Sequence, residues 1–232
     1  MAQFHFVEDY EALVASLIKQ HPIDEAMSLA VGGAYRPIGE IEYDVLRYAG
    51  LNDGMTLVDI GCGSGRLAHV LGEKMEIHYL GTDIVQSLLD YAKTKCPAGY
   101  KFKLHRKLSV PISRASADMI CAFSVFTHLL HEESYVYLEE MKTALRAGGR
   151  VVFSFLEFSP ASDLHWHVFD RTVEALRHGL QERHPLNTFI ERSTIEAWCR
   201  HLGYEIVEFV DGGAAPFGNA PLGQSMVILQ NS

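Results

Sequence analysis

The chain has 232 residues, 48% apolar and 21% charged, with a formal net charge of −9. That length carries one α/β domain with a full core, the proportions are those of an ordinary globular protein, and no apolar run is long enough to span a bilayer. The acidic balance argues against a nucleic-acid backbone as partner, and four cysteines (Cys62, Cys96, Cys121, Cys199) without CxxC spacing suggest neither a zinc site nor a disulfide framework.

The first residues lack the basic, apolar, small-residue order of a signal peptide, so a reducing cytoplasm is the expected compartment. Residues 8–19 read as an amphipathic helix. VGGAYRPIG (31–39) is too glycine-rich for a core element and reads as a loop carrying Tyr35 and Arg36; a helix follows over 38–49. LVDI (57–60) is a buried parallel strand. It delivers Asp59 into a GxGxG turn, Gly61, Gly63 and Gly65, that opens a helix over 66–74. Glycines there let the backbone approach a small molecule closely, beside the free N–H groups of the helix start. Arg66 stands where a dinucleotide-binding GxGxxG has its last glycine.

A second strand over 77–84 ends in Asp83, 20 residues beyond Gly63, the interval at which an acid reaches a ribose hydroxyl. The same side chain could instead cap the helix over 85–95. YKFKL (100–104) is strand three, with Lys101, Lys103 and His105 on its wet face. Residues 118–123 form strand four, and 124–129 the loop beyond its carboxyl end, on the side where ligands bind in an open parallel sheet. The helix over 132–146 is closed by Gly148-Gly149, and strand five covers 150–158. Residues 159–192, with Pro160, Pro185, a helical stretch near 172–181 and Trp166 between His165 and His167, read as an insertion. A helix over 193–202 has Ser193 as N-cap and Glu196 in the capping-box position. Strand six (204–210), a Gly/Pro-rich loop (211–223) and strand seven (224–230) complete the chain.

LVDIGCGSGRLA (57–68), with its acid ahead of the glycine turn, resembles motif I (hhDhGxGxG) of the class I S-adenosylmethionine (SAM)-dependent methyltransferases. The passage through Gly148-Gly149 into strand five resembles that family as well, and the likeness covers residues 40–156 and 193–230. It implies a doubly wound α/β fold, a mostly parallel seven-stranded sheet with helices on both faces and an antiparallel last strand. It also implies a helix and lid over 1–38 and a methyltransferase domain over 39–232, with an inserted substrate cap at about 159–192. SAM is the implied cofactor and S-adenosylhomocysteine the implied product. The implied binding set is Asp59, Gly61, Cys62, Gly63, Gly65, Asp83, Ile84, Phe123 and Ser124, with Asp83 on the ribose. Many relatives carry an Asp or Asn after strand three, beside the adenine amino group; His105-Arg106-Lys107 departs from that pattern.

SAM loses its methyl group from a sulfonium, so the leaving group is a neutral thioether. The protein's tasks are alignment, exclusion of water, and removal of a proton when the acceptor is a hydroxyl; alignment alone is worth up to about 7–11 kcal/mol. His128, just past strand four, is the expected general base, with an ordinary pKa of about 6.5; a packing role is its alternative, and His165 and His167 are rivals. Tyr35, Trp166 and His167 are expected at the acceptor, and Arg36 on the SAM carboxylate. No HxxxH or carboxylate cluster follows strand four or five, so no metal is expected. AFSV (122–125) stands where amino-methylating nucleic-acid enzymes carry (N/D/S)PP(Y/F). The expected acceptor is therefore a small-molecule or glycan hydroxyl. Two alternatives are an NAD-dependent oxidoreductase, which Asp59 and Arg66 disfavour, and a non-catalytic SAM-binding protein.

Overall fold

A computed structural model describes residues 7–158, 163–178, 187–218 and 220–232. Apolar runs too short for helices become seven strands: β1 (Thr56–Ile60), β2 (His78–Asp83), β3 (Lys101–Leu104), β4 (Ala117–Ala122), β5 (Leu145–Phe155), β6 (Tyr204–Val210) and β7 (Ser225–Asn231). They form one sheet in the order β3-β2-β1-β4-β5-β7-β6. β1 to β5 pair in parallel, and β7 runs antiparallel to β5 and β6. From β1 the chain winds outward through β2 and β3, then returns to add β4 and β5 on the other side. The carboxyl ends of β1 and β4 are thus the switch point where a doubly wound sheet opens a crevice.

Alternation along each strand divides the core. Val58, Ile60, Ile120, Phe153 and Phe155 face one layer, with Leu138 and Met141 of α6 (His131–Ala144) and Ile195 of α8 (Arg192–Leu202). Leu57, Met119, Val152 and Ile228 face the other, with Val45 and Leu46 of α3 (Tyr35–Tyr48) and Leu67 and Leu71 of α4 (Arg66–Lys74). Each fully buried side chain of this kind contributes roughly 1.5–3 kcal/mol. A third cluster joins Val14 of α1 (Val7–Gln20) and Met27 of α2 (Ile23–Leu29) to Leu88 of α5 (Gln86–Lys95). It lays the amino-terminal helices over the crevice. Among the described residues, no helix is long and apolar enough to cross a membrane.

Four local expectations are corrected, and the short helix α2, which has too few turns to show a period, is added. The loop expected over 31–39 shrinks because α3 begins at Tyr35. Pro37 falls in its first turn, where no intrahelical N–H is needed, and Ser28 Oγ accepts the Tyr35 N–H at 3.3 Å. Gly148 and Gly149 lie inside β5 rather than capping α6, which ends at Ala144. A Cβ on Gly149 would sit 3.1 Å from the Asp118 carbonyl, where the β4–β5 register shifts. Ser193 lies within α8, whose N-cap is Glu191; the Glu191 carboxylate accepts the Phe158 N–H instead. The helix in the inserted segment, α7 (Asp163–His178), starts well before residue 172 and carries the His-Trp-His triplet on it. Pro160, Gln181 and Pro185 lie outside the described residues.

Candidate cofactor and acceptor site

The switch point holds a cavity of about 290 Å³. Its floor is the glycine turn. Gly61 (φ 71°) and Gly63 (φ 56°) are left-handed. A side chain at the first would overlap Val125, and one at the second would overlap Val31. Only glycine satisfies both conditions at these positions. Cys62 lines the same cavity, whereas Gly65 lies behind it, where a Cβ would come within 2.8 Å of the Ala92 Cβ. Its task is the close fit of α4 on α5.

Asp59 is buried in the wall of this cavity. The Tyr79 hydroxyl donates to its Oδ2 at 2.6 Å and the Cys121 thiol to its Oδ1 at 3.5 Å. Burial outweighs these donors and pushes the carboxyl up to about 7. An acid raised this way keeps its proton in the folded chain over a range where the unfolded chain has released it. Stability therefore falls as pH rises from the ordinary value of 3.8 to about 7. Asp59→Asn keeps an acceptor for the Tyr79 hydroxyl, gives up the weaker one for the Cys121 thiol, and removes the titration. The wild-type stability minus that of the variant, from urea unfolding, should decline across this interval and level off above it; a difference flat with pH overturns the assignment.

Asp83, at the end of β2, accepts the Gly63 N–H at Oδ2 and the Val85 N–H at Oδ1, each at 2.9 Å. The N-cap of α5 is Val85 rather than Asp83; the Asp83 carboxylate accepts that residue's N–H and lines the cavity with Ile84. Burial pushes its pKa up against those hydrogen bonds. His105 lies on the same side, its Nε2 2.9 Å from Ser109 Oγ and 3.0 Å from the Ser109 carbonyl, and burial lowers its pKa. Arg106 donates to the Ile84 carbonyl at 2.9 Å and pairs with Glu11 of α1, tying the first helix to this rim.

The cation of the cavity is Arg66, not Arg36. Arg66 donates from Nε to both Glu42 oxygens, at 3.0 and 3.1 Å, from Nη2 to Glu42 again, and from Nη1 to the Val31 carbonyl. Glu42 and Arg66 line the cavity together. Arg36 projects from α3 to the surface, where Glu40 and Glu73 pair with it. A charged residue at 42 on the stripe that includes Val45 and Leu46 was the sequence signal for this buried pair.

Across the cavity stand Phe123, Ser124, Val125, His128 and Gln224. Ser124 has φ 57°, an uncommon conformation for a residue with a side chain. His128 ends a 3₁₀ turn at Phe126–His128, with Nε2 3.4 Å from the Tyr10 hydroxyl of α1 and the two rings edge to face. Burial pushes the Tyr10 phenol up to about 12, so it stays protonated. Tyr10 and Gln224 carried no local sequence signal, because each reaches the cavity from an element distant in the chain.

The three residues expected at the acceptor do not line the cavity. Tyr35 docks outside the glycine turn, its hydroxyl donating to the Ser64 carbonyl at 3.0 Å. Trp166 and His167 are exposed on α7, Trp166 packing on Phe158 and Phe169. His165 turns inward and donates from Nδ1 to the Glu157 carbonyl at 2.9 Å. Among the described residues, no group of three or more His, Cys, Asp or Glu is arranged to hold a metal ion.

Residues 58–153 match a family model described as a methyltransferase domain. The fold is similar to magnesium protoporphyrin IX methyltransferase from Synechocystis PCC 6803, with 14% identity, 97% of each chain covered and a TM-score of 0.65. It is also similar to geranyl diphosphate C-methyltransferase from Streptomyces coelicolor A3(2), at 11% identity, covering 83% of this chain and 76% of that one, TM-score 0.62. A chain from a complex of the Haloferax volcanii Trm112 methyltransferase activator with a putative methyltransferase gives 16% identity, coverage of 96% and 97%, and a TM-score of 0.65. The matched segment contains the glycine turn, Asp59, Asp83 and the β4 edge, so the part of the chain that lines the cavity is similar to a methyltransferase domain, on a sheet whose strand order its structural neighbours share.

Proposed function

We propose that this protein transfers a methyl group from SAM to the hydroxyl oxygen of a small-molecule or glycan acceptor. The observation that carries the reading is one continuous cavity with two unlike halves. Asp83 and the glycine turn line one half, and Ser124, His128 and Gln224 line the other. The first half fits SAM: Gly61 and Gly63 leave no room for side chains, and each Asp83 oxygen keeps a lone pair for a ribose hydroxyl. Arg66, with guanidinium donors beyond those spent on Glu42, is placed for the SAM carboxylate, the role first expected of Arg36. Asp59 faces the ammonium end. In this reading α1 and α2 act as the lid, and α7 belongs to the cap.

SAM supplies the methyl group, and the sulfur keeps the electron pair of the broken C–S bond. His128 takes the hydroxyl proton as the acceptor oxygen forms its new bond to carbon. Tyr10 holds the imidazole, and Phe126, the fully buried first residue of the same turn, anchors that turn by stacking on Phe153. Calorimetry with SAM tests the donor half. Wild type should bind, and Asp83→Ala should bind about 1.5–3 kcal/mol more weakly, because charge-assisted bonds to ribose are lost. Equal affinities would remove Asp83 from the site, and no heat with wild type would overturn the reading.

A further inference from the structure

Gln224 stands at the entry to β7, on the acceptor side of β4 and β5, and lines the cavity. Its Oε1 accepts the Ser154 hydroxyl at 2.7 Å and the Ser124 hydroxyl at 3.3 Å. Ser154 is fully buried, and its oxygen already accepts the Ser124 N–H at 2.7 Å. Its one proton therefore needs an acceptor, and Gln224 Oε1 provides it. This fixes the rotation of the carboxamide: the oxygen faces the two serines and the nitrogen turns away from them. Among the described residues, that nitrogen has no hydrogen-bond partner. The same relay holds Ser124 in its left-handed conformation, a local strain of about 1–3 kcal/mol.

We propose that Gln224 is a specificity-determining residue, whose N–H donates to a carbonyl oxygen that the acceptor carries beside its reacting hydroxyl. This rests on the methyl-transfer reading above. A donor placed on the reacting oxygen would occupy the lone pair that attacks carbon, so the useful partner is a second oxygen on a neighbouring atom. A neutral carbonyl suits the site better than a carboxylate. Asp59, Asp83 and Glu42 line the same cavity, and the Arg66 donors left by Glu42 are assigned above to the SAM carboxylate. The substrate class is thus a hydroxy-carbonyl compound. A donor that a bound acceptor covers, and that an analogue without the oxo group leaves unpaired, is the kind of feature that discriminates strongly.

The test measures S-adenosylhomocysteine release for matched pairs that keep the hydroxyl and lose only the carbonyl oxygen: salicylaldehyde against ortho-cresol, and hydroxyacetone against 1-propanol. Wild type should turn over at least one oxo member with kcat/KM about tenfold or more above its partner. That ratio should collapse toward about one in Gln224→Leu and in Gln224→Glu. The glutamate keeps an acceptor for both serine hydroxyls, so it preserves the relay while removing the donor. SAM calorimetry run on all three proteins separates the two failures. Absence of SAM binding by wild type overturns the methyl-transfer reading itself. With SAM bound, the Gln224 assignment is overturned if no oxo compound turns over, if oxo and deoxo members react alike, or if the preference survives both substitutions.

Discussion

Glu42→Ala should cost about 3–5 kcal/mol of folding free energy, read as a lower urea midpoint at unchanged slope. The Glu42 side chain is 2% exposed and that of Arg66 12%. Removing the carboxylate leaves a guanidinium in the protein wall whose nearest remaining partner is the Val31 carbonyl. Burial pushes the Glu42 pKa upward while Arg66 pulls it down, so the two groups are worth little apart. Glu42→Gln retains acceptor and shape and should lose clearly less than the alanine. A second readout follows from the same charge. Glu42 helps to raise Asp59, so its removal should move the Asp59 titration to lower pH. A loss under about 1 kcal/mol would overturn this and mean that Arg66 finds a new partner among the cavity's other acids, Asp59 and Asp83.

The position of this pair illustrates what could be read from residues alone. Arg66 and Arg36 both lie near the glycine turn in the chain or in the fold, and local pattern does not separate them. The difference is tertiary: α3 crosses α4 so closely that a Cβ on Gly39 would strike the Arg66 carbonyl. That crossing turns Glu42 inward and leaves Arg36 outside. The parallel strands were legible because strands buried on both faces are continuous apolar runs, and Asp83 because its spacing from the turn is set by one βαβ unit. Gly148-Gly149 misled, since a glycine pair after a helix serves a strand irregularity as readily as a cap. The acceptor half was the least legible. Tyr10, Ser154 and Gln224 meet there only because β5 and β7 pair and α1 folds across the crevice. Trp166 and His167 drew attention by composition, yet helical phase sends His165 inward and leaves Trp166 and His167 exposed.

His128→Ala should lower kcat by about 10²–10⁴ while leaving SAM affinity nearly unchanged. The expectation separates two readings of one geometry. As a base, His128 acts on the acceptor and not on the cofactor, so the loss belongs to kcat. As a packing residue, its edge-to-face contact with Tyr10 would hold α1 over the crevice. The alanine would then weaken SAM binding and thermal stability together, leaving kcat at saturation close to wild type. Tyr10→Phe sharpens the distinction. It keeps the ring against His128 and removes only the hydroxyl 3.4 Å from Nε2. If Tyr10 orients the imidazole, kcat should fall by about tenfold or less, with SAM affinity unchanged. If His128→Ala turns over at the wild-type rate, the proton leaves by another route, and the acceptor half of the cavity is organised around the Ser124–Gln224 relay instead.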